Sequence, residues 1–515
     1  MRTGAASTGD GRSGPFVPLA ASDPDGPAIT SATGTLTWSQ LEASARRYAN
    51  AVRRLGLDDD DRVAVMSLNR TEWVQALVGN LRGGTRHVPI NWHLTAGEVA
   101  YVLADSKARL LLVGPEHADV GRAAAEEAGV EHVVVLGDEF AALLADAPDH
   151  EPENTHAGGV LTYTSGTTGR QKGVRRSDHV TGLDQVMATY ARVGEAWRMT
   201  RGGVHLGVCP LYHATPQGMA LFCVALGQHQ VQVPRFDAEE TLRLIEAHRV
   251  TSIHLVPTQL IRLLRLPDEV RARHDLSSLE GVWHGAAPCP AWVKRAAIDW
   301  LGPIVTEYFG SSEGTGPLIA TSEEWLAHPG TVGRPAPWIE ISVLDDDHDE
   351  VPTGEVGTLW FRRPEGPPTY EGDEEKSRSI RLDDGRFTVG DVGWLDDDGF
   401  VYLADRKIDM IISGGVNIYP SETEAILSQH PAVADCAVFG VPDPEWGEQV
   451  KAAVELAPGA ETDPDELIAW CAERIARYKC PRSIDVHDAL PREASGKLKK
   501  RVLRDAYREA AGPGR

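Results

Sequence analysis

Between Arg62 and Gly137 the chain alternates short β-rich runs with helical patterns: RVAVMSLN, TEWVQALVGNLRGG, RHVPIN, LTAGEVAYVLADSKA, RLLLVG, GRAAAEEAG and EHVVVLG. Strands that alternate with helices pack side by side through right-handed crossovers, so this rhythm predicts βαβ units and a largely parallel sheet. A second series, VHLGVCPL, AEETLRLIEAHRV, TSIHLVP, LEGVWHGAAP and PAWVKRAAIDWL, predicts a second α/β subdomain. From Ile339 onward, strands separated by acidic turns (IEISVLDDD, GEVGTLWFR, RFTVGDVGWLDDDGFVYL) predict an antiparallel, β-rich subdomain. After Asp405 a compact α+β unit follows: helix SETEAILSQH, strands VADCAVFGVPD and QVKAAVEL, helix DELIAWCAERIARY, strand SIDVHD and helix KLKKRVLRDAYREAA. The expected fold class is therefore α/β. A large N-terminal domain, 1–405, holds two α/β subdomains and a β-rich one, and a small α+β C-terminal domain, 406–515, follows it. Residues 1–14, MRTGAASTGDGRSG, read as a flexible tail, because they lack the apolar stretch of a signal peptide.

Charge and cysteine content narrow the function classes. The chain has 515 residues, with 51 Lys and Arg against 75 Asp and Glu, a net charge of −24. That balance opposes a general nucleic-acid or anionic-membrane binder, since both need excess cations at the contact. No apolar run approaches the ~18 residues of a membrane span. Six cysteines without a CxxC pair argue against structural zinc and a disulfide framework, and fit a reducing cytoplasm. The acidic runs at 58–61, 345–350 and 371–375 read as solvated loops. Residues 474–508 reverse the sign, with eleven Lys or Arg against four acids, a patch suited to polyphosphate groups or to a solvated helix face.

The strongest local signal is LTYTSGTTGRQKGV, Leu161 to Val174. A β-rich lead-in ends in a Ser/Thr/Gly loop closed by Lys172. Glycines let backbone N–H groups turn inward, hydroxyls add donors and lysine adds charge, a combination that suits polyphosphate. The Walker pattern GxxxxGK[ST] cannot be laid over it. Alone, such a loop reads as a surface turn. Three later stretches change that: YFGSSEG (308–314), TVGDVGWLDDDGFVYLADRKIDMIISGGVNIYPSE (388–422) and PREASGKLKK (491–500). With these four motifs in order along essentially its whole length, the chain resembles the acyl-adenylate-forming superfamily. That superfamily contains acyl-CoA synthetases, adenylation domains of nonribosomal synthetases and firefly-type luciferases.

The resemblance implies roles position by position. Thr164, Ser165, Thr167, Thr168 and Lys172 match the loop that closes on the β- and γ-phosphates of ATP. Gly285, Ala286, Ala287 and Pro288 match the segment flanking the adenine, and Phe309 the aromatic that stacks on it. Ser312 matches the hydroxyl near the α-phosphate and Glu313 the Mg²⁺ carboxylate. Asp391 matches the carboxylate accepting the ribose hydroxyls, and Arg406 the guanidinium supporting the same sugar. Lys497 matches the catalytic lysine bridging the attacking carboxylate and the α-phosphate, and His213 the histidine beside the acid pocket. Gly414 and Gly415 match the segment lining a pantetheine channel when the small domain, which is mobile in this family, rotates for the second half-reaction. Two positions depart from the common pattern: Gln171 stands where Pro is usual, and Ile408 stands at a hinge that is commonly Asp or Lys.

The implied reaction is ATP-dependent adenylation of a carboxylic acid with release of pyrophosphate, then transfer of the acyl group to CoA. The acid pocket is expected around His213, 217–219, 256–258 and 285–315. PLYHATPQG has no carboxylate where relatives hold an α-ammonium, so α-amino acids are disfavoured and fatty or aryl acids favoured. Ile408 keeps open a biosynthetic relative with another acceptor, such as a diazotase activating nitrite for an aryl amine, or an enzyme loading a carrier protein. A luciferase-type oxygenase and a nucleotide-binding pseudoenzyme are the remaining readings.

Overall fold

The computed structural model describes residues 23–154, 156–164, 171–175, 182–364, 366–370, 373–406, 409–414, 416–492 and 498–510. Two compact units divide the chain. One comprises Met1–His254, Asp268–Gly281 and Thr369–Gly372; the other comprises Leu255–Pro267, Val282–Pro368 and Asp373–Arg515.

The first unit contains the expected parallel sheet, in the order His132–Val135, Ala108–Val113, Arg62–Met66, Arg86–Pro89, Gly159–Val160. Successive residues feed opposite faces. Val63, Val65, Leu110 and Leu112 enter one core, while Ala64, Met66, Leu111 and Val113 enter another. This is why the strands read as unbroken apolar runs: helices cover both faces. The crossover helix Ala96–Ser106 starts where the sequence signals it, with Thr95 and Glu98 forming a reciprocal cap in which Thr95 N donates to Glu98 Oε2 at 2.8 Å. It stops at Lys107, which takes a left-handed φ of 55°.

A second sheet in this unit aligns Ser252–Leu255, Val204–Gly207, His229–Gln232 and Pro27–Ser31 in parallel, with Gly34–Thr37 antiparallel at the edge. Its crossover helix Ala214–Leu226 leaves no trace in the hydrophobic pattern. Every residue from Met219 to Leu226 is buried, so the helix has no polar face to generate a period. The strand after it, His229–Gln232, hides for the opposite reason: Gln230 and Gln232 are polar yet buried. The acidic run at 58–61 is a loop, as expected, but its carboxylates are engaged. Asp59 pairs with Arg53, Asp60 with Arg86 at 2.7 Å and Asp61 with Arg109 at 2.9 Å.

In the second unit the parallel strands Gly281–His284 and Val305–Phe309 flank the helix Ala291–Leu301, and Leu318–Ala320 and Arg334–Pro335 add antiparallel neighbours. The expected antiparallel sheet follows, ordered Glu340–Leu344, Gly357–Arg362, Asp391–Leu395, Val401–Arg406, around Phe361, Phe387 and Val401. Beyond Arg406, the long hairpin Val433–Asp443 and Gly447–Leu456 carries Ser483–His487 in parallel and is covered by Pro420–Leu427, Pro464–Ala472 and Lys500–Ala510. The helix expected through Tyr478 ends at Ala472. The chain then forms a separate 3₁₀ turn, Arg477–Lys479, whose Lys479 carbonyl accepts the Thr423 hydroxyl at 2.9 Å.

The basic excess near the C-terminal end is largely consumed within the unit. Lys479 pairs with Glu422, Arg492 with Asp435, Lys500 with Glu424 at 2.8 Å and Arg504 with Asp409 at 2.9 Å. All six cysteines are free thiols. Among the described residues no helix is long and apolar enough to cross a membrane, and no group of three His, Cys, Asp or Glu could hold a metal.

Candidate active site

The Ser/Thr/Gly loop is carried by a hairpin. Thr162–Thr164 and Lys172–Arg175 run antiparallel with Thr164 opposite Lys172, so the residues bounding the loop are held side by side. The Lys172 ammonium lies 5.9 Å from the Tyr370 ring centroid. Ser165, Thr167 and Thr168 lie outside the described residues. In the same unit His213 is the cap residue of the helix Ala214–Leu226, half-buried, its ring 4.2 Å from that of Tyr212. The loop presenting it is fixed by Asn69, which belongs to none of the motifs. Asn69, buried, accepts from Leu211 N at 2.9 Å and donates to Cys209 O at 2.9 Å.

In the second unit, two parallel strands end together and release the predicted base-binding segments. Gly285 follows His284 directly and packs on the other strand. A Cβ at this position would lie 2.5 Å from Tyr308 O, so only glycine permits the approach. Ala286 takes a left-handed φ of 68°, unusual for a residue with a Cβ, and Ala287 and Pro288 complete the turn toward the helix Ala291–Leu301. Phe309, half-buried, stacks at 6.4 Å on Phe361. Gly310 to Gly314 then form the loop bearing Ser312 and Glu313, both half-buried. Gly314 has φ 91°, and the Arg363 guanidinium lies against it, donating to Gly314 O at 3.4 Å. This cation beside Glu313 was not anticipated, because 49 residues separate it from the loop in sequence.

The pair expected at the sugar is also brought together in this unit. Asp391, buried, opens the strand Asp391–Leu395 and stands directly opposite Arg406 in the antiparallel register. Gly390 before it takes φ 84° and donates its N–H to the Thr388 hydroxyl at 3.1 Å, which turns the chain into the strand. Gly414 takes φ 58° beside Trp446, whose ring would lie 2.7 Å from any Cβ at 414. Gly415, Ile408 and Lys497 lie outside the described residues.

The residues present fit the groups the fold implies. Ser311 Oγ and Thr315 Oγ1 are buried without a hydrogen-bond partner among the described residues, one on each side of Ser312 and Glu313. Buried hydroxyls seek partners, and nucleotide oxygens supply them. One carboxylate, Glu313, amid hydroxyls suits Mg²⁺, which takes most of its ligands from phosphate and water. Burial pushes the thiols of Cys223 and Cys436 well up, away from the thiolate that a nucleophile requires.

Comparison with known proteins shows the family. A family model described as AMP-binding enzyme matches residues 18–370, and a second, AMP-binding enzyme C-terminal domain, matches residues 422–497. A feruloyl-CoA synthase from Amycolatopsis sp is 34% identical over 499 residues, covering 94% of this chain and 96% of its own. A long-chain-fatty-acid–CoA ligase from Mycobacterium tuberculosis is 32% identical over 480 residues, covering 92% and 93%. Among solved structures, an anthranilate CoA ligase in complex with anthranoyl-AMP is similar at a TM-score of 0.85 and 27% identity, covering 95% of each chain. Both the sequence matches and the fold thus extend over nearly all of the chain, and the protein belongs to the AMP-binding enzyme family.

Proposed function

We propose that the protein is an AMP-forming acid–CoA ligase that adenylates a fatty or aryl acid with ATP and passes the acyl group to CoA. The observation that carries this reading is the pair of strand ends at His284 and Phe309. They deliver a glycine-tight segment and a loop with two unpartnered buried hydroxyls around Ser312 and Glu313. Glu313 and Asp391 take roles at a nucleotide's inner phosphate and ribose, and neither serves its terminal phosphate.

Phe309 offers its ring to the adenine and Asp391 accepts the ribose hydroxyls. Thr164, Ser165, Thr167, Thr168 and Lys172 close on the outer phosphates, and Ser312 donates near the inner one. Glu313 would hold Mg²⁺, which when bound would supply charge neutralisation at the phosphates. Lys497 neutralises the approach of two anions, the acid's carboxylate and the α-phosphate. One P–O bond forms to the acid and the P–O bond to pyrophosphate breaks. The resulting acyl carbon has AMP as its leaving group, where a free carboxylate would have to expel oxide. His213 lines the acid pocket, and Gly414 and Gly415 admit the thiol of CoA, which attacks that carbon and releases AMP. The small domain, 406–515, moves between these half-reactions, placing Lys497 in the site for the first and Gly414 and Gly415 for the second. Free thiols and the acidic charge suit a cytoplasmic enzyme.

The test is a turnover assay with ATP, Mg²⁺ and a panel of aryl and fatty acids, with CoA, with a pantetheinylated carrier protein, and without either. The expected products are AMP, pyrophosphate and an acyl-CoA thioester. ADP with orthophosphate overturns the adenylation reading, and thioester formed only on the carrier protein overturns CoA as acceptor.

A further inference from the structure

We infer that Lys294 is a positioning residue for the nucleotide site, its buried ammonium tying together the ends of the two strands that release the base-binding segments. The inference rests on the reading of those segments given above. His284 and Glu307 are direct partners in the parallel register of Gly281–His284 and Val305–Phe309. Lys294, in the first turn of the helix Ala291–Leu301, reaches both: its Nζ lies 2.7 Å from His284 Nε2 and 3.7 Å from Glu307 Oε2. His284 Nε2 is itself 3.9 Å from Glu307 Oε2. His284 and Lys294 are 0% exposed and Glu307 6%. An ammonium only donates, so His284 Nε2 accepts and its ring proton sits on Nδ1.

Such a cluster is an improbable way to fill a helix–sheet interface. Burying a lysine and a glutamate carries a desolvation penalty that apolar side chains of similar volume avoid. What the charges add is geometry: a cation between two acceptors fixes where both strands end. The very next residues, Gly285 and Tyr308, make the close contact on which the glycine-tight segment depends. Beyond that segment, burial pushes the Cys289 thiol up, with Glu307 adding to the rise and Lys294 opposing it.

The variant that isolates this role is Lys294→Met with Glu307→Gln, which removes both charges and leaves no buried ion alone. The full-length enzyme is compared with it for thermal midpoint, for ATP binding by calorimetry, and for KM of ATP and acid together with kcat. Expected are an unchanged or higher midpoint, a KM for ATP raised roughly tenfold with parallel loss of ATP binding, an acid KM within about twofold, and kcat at saturating ATP within about threefold. An ATP KM within about twofold of the parent, or an equal rise in both KM values with a lowered midpoint, overturns the inference and leaves the nucleotide reading intact. Absence of ATP binding by the unmodified enzyme overturns the nucleotide reading itself.

Discussion

Acidification strips stability from the unit built on Met1–His254, through histidines buried there in the neutral form. His87 is 0% exposed, with Nδ1 3.1 Å from Asn80 Nδ2 and its ring edge-on to Trp73, and burial pushes its pKa down to about 3. His205 shares a 2.9 Å hydrogen bond with Ser252 and falls to about 4, again through burial. His254 falls to about 3 through burial, with His205 and His213 adding to the shift. In the unfolded chain each returns to about 6.5. Between the folded and unfolded values the unfolded chain binds protons that the folded one refuses, so stability falls as pH falls through 6.5. At pH 5 each histidine removes about 2 kcal/mol, and the three together about 6 kcal/mol as an upper bound. That is comparable to the whole stability of many domains. Carboxylates held low, such as Asp60 and Glu72, exert their effect below that window, because their unfolded values lie near 4. In the other unit burial lifts Glu307 to about 7. A raised carboxyl has the opposite sign, stabilising at low pH and losing that contribution as pH rises from about 4.5 toward 7. The two units therefore respond to acid in opposite directions. Pulse proteolysis in urea at several pH values between 7.5 and 5, with fragments assigned by mass, reads each unit separately. The variant His205→Asn should flatten the slope of the first unit by about 2 kcal/mol over this range. A pH-independent first unit, or a His205→Asn slope equal to the parent's, refutes the reasoning.

Lys497→Ala should lower acid-dependent pyrophosphate release by roughly 10²-fold or more, the scale of one transition-state charge contact, while a supplied acyl-adenylate is still converted to thioester. Retention of more than about a third of the release counts against its role. Asn69→Ala removes the buried acceptor of Leu211 N and donor to Cys209 O, which should destabilise by about 2–4 kcal/mol and lower kcat by loosening the loop that presents His213. Asn69→Asp, which keeps the acceptor but sets an anion against the Cys209 carbonyl, should do no better, and a near-normal Asn69→Asp enzyme would refute the clamp.

What could be read in the chain and what could not follow a physical division. Periodicity is local, so the parallel sheet was legible: Val63 and Val65 face one core, Ala64 and Met66 the other, and the crossover helix Ala96–Ser106 buries one stripe through Val99, Val102 and Leu103. The helix Ala214–Leu226 was illegible because total burial erases the stripe. Asp391, Phe309, Ser312 and Glu313 stand out in the sequence only as members of ordered motifs, and their proposed roles rest on those motifs. Charge is different, since what a charged residue does depends on the partner that topology brings to it. Lys294 in AWVKRAAIDWL carries no signal in the sequence, and the structure sets it buried between His284 and Glu307, which are partners in the strand register. The acids at 58–61 and the cations of the C-terminal segment likewise read as solvated runs, and most of those described are joined to opposite charges distant in sequence. A net charge of −24 thus describes what is left after this internal pairing, and it cannot register buried cations such as Arg82, paired with Glu42 and Glu151, or Lys294, set between His284 and Glu307.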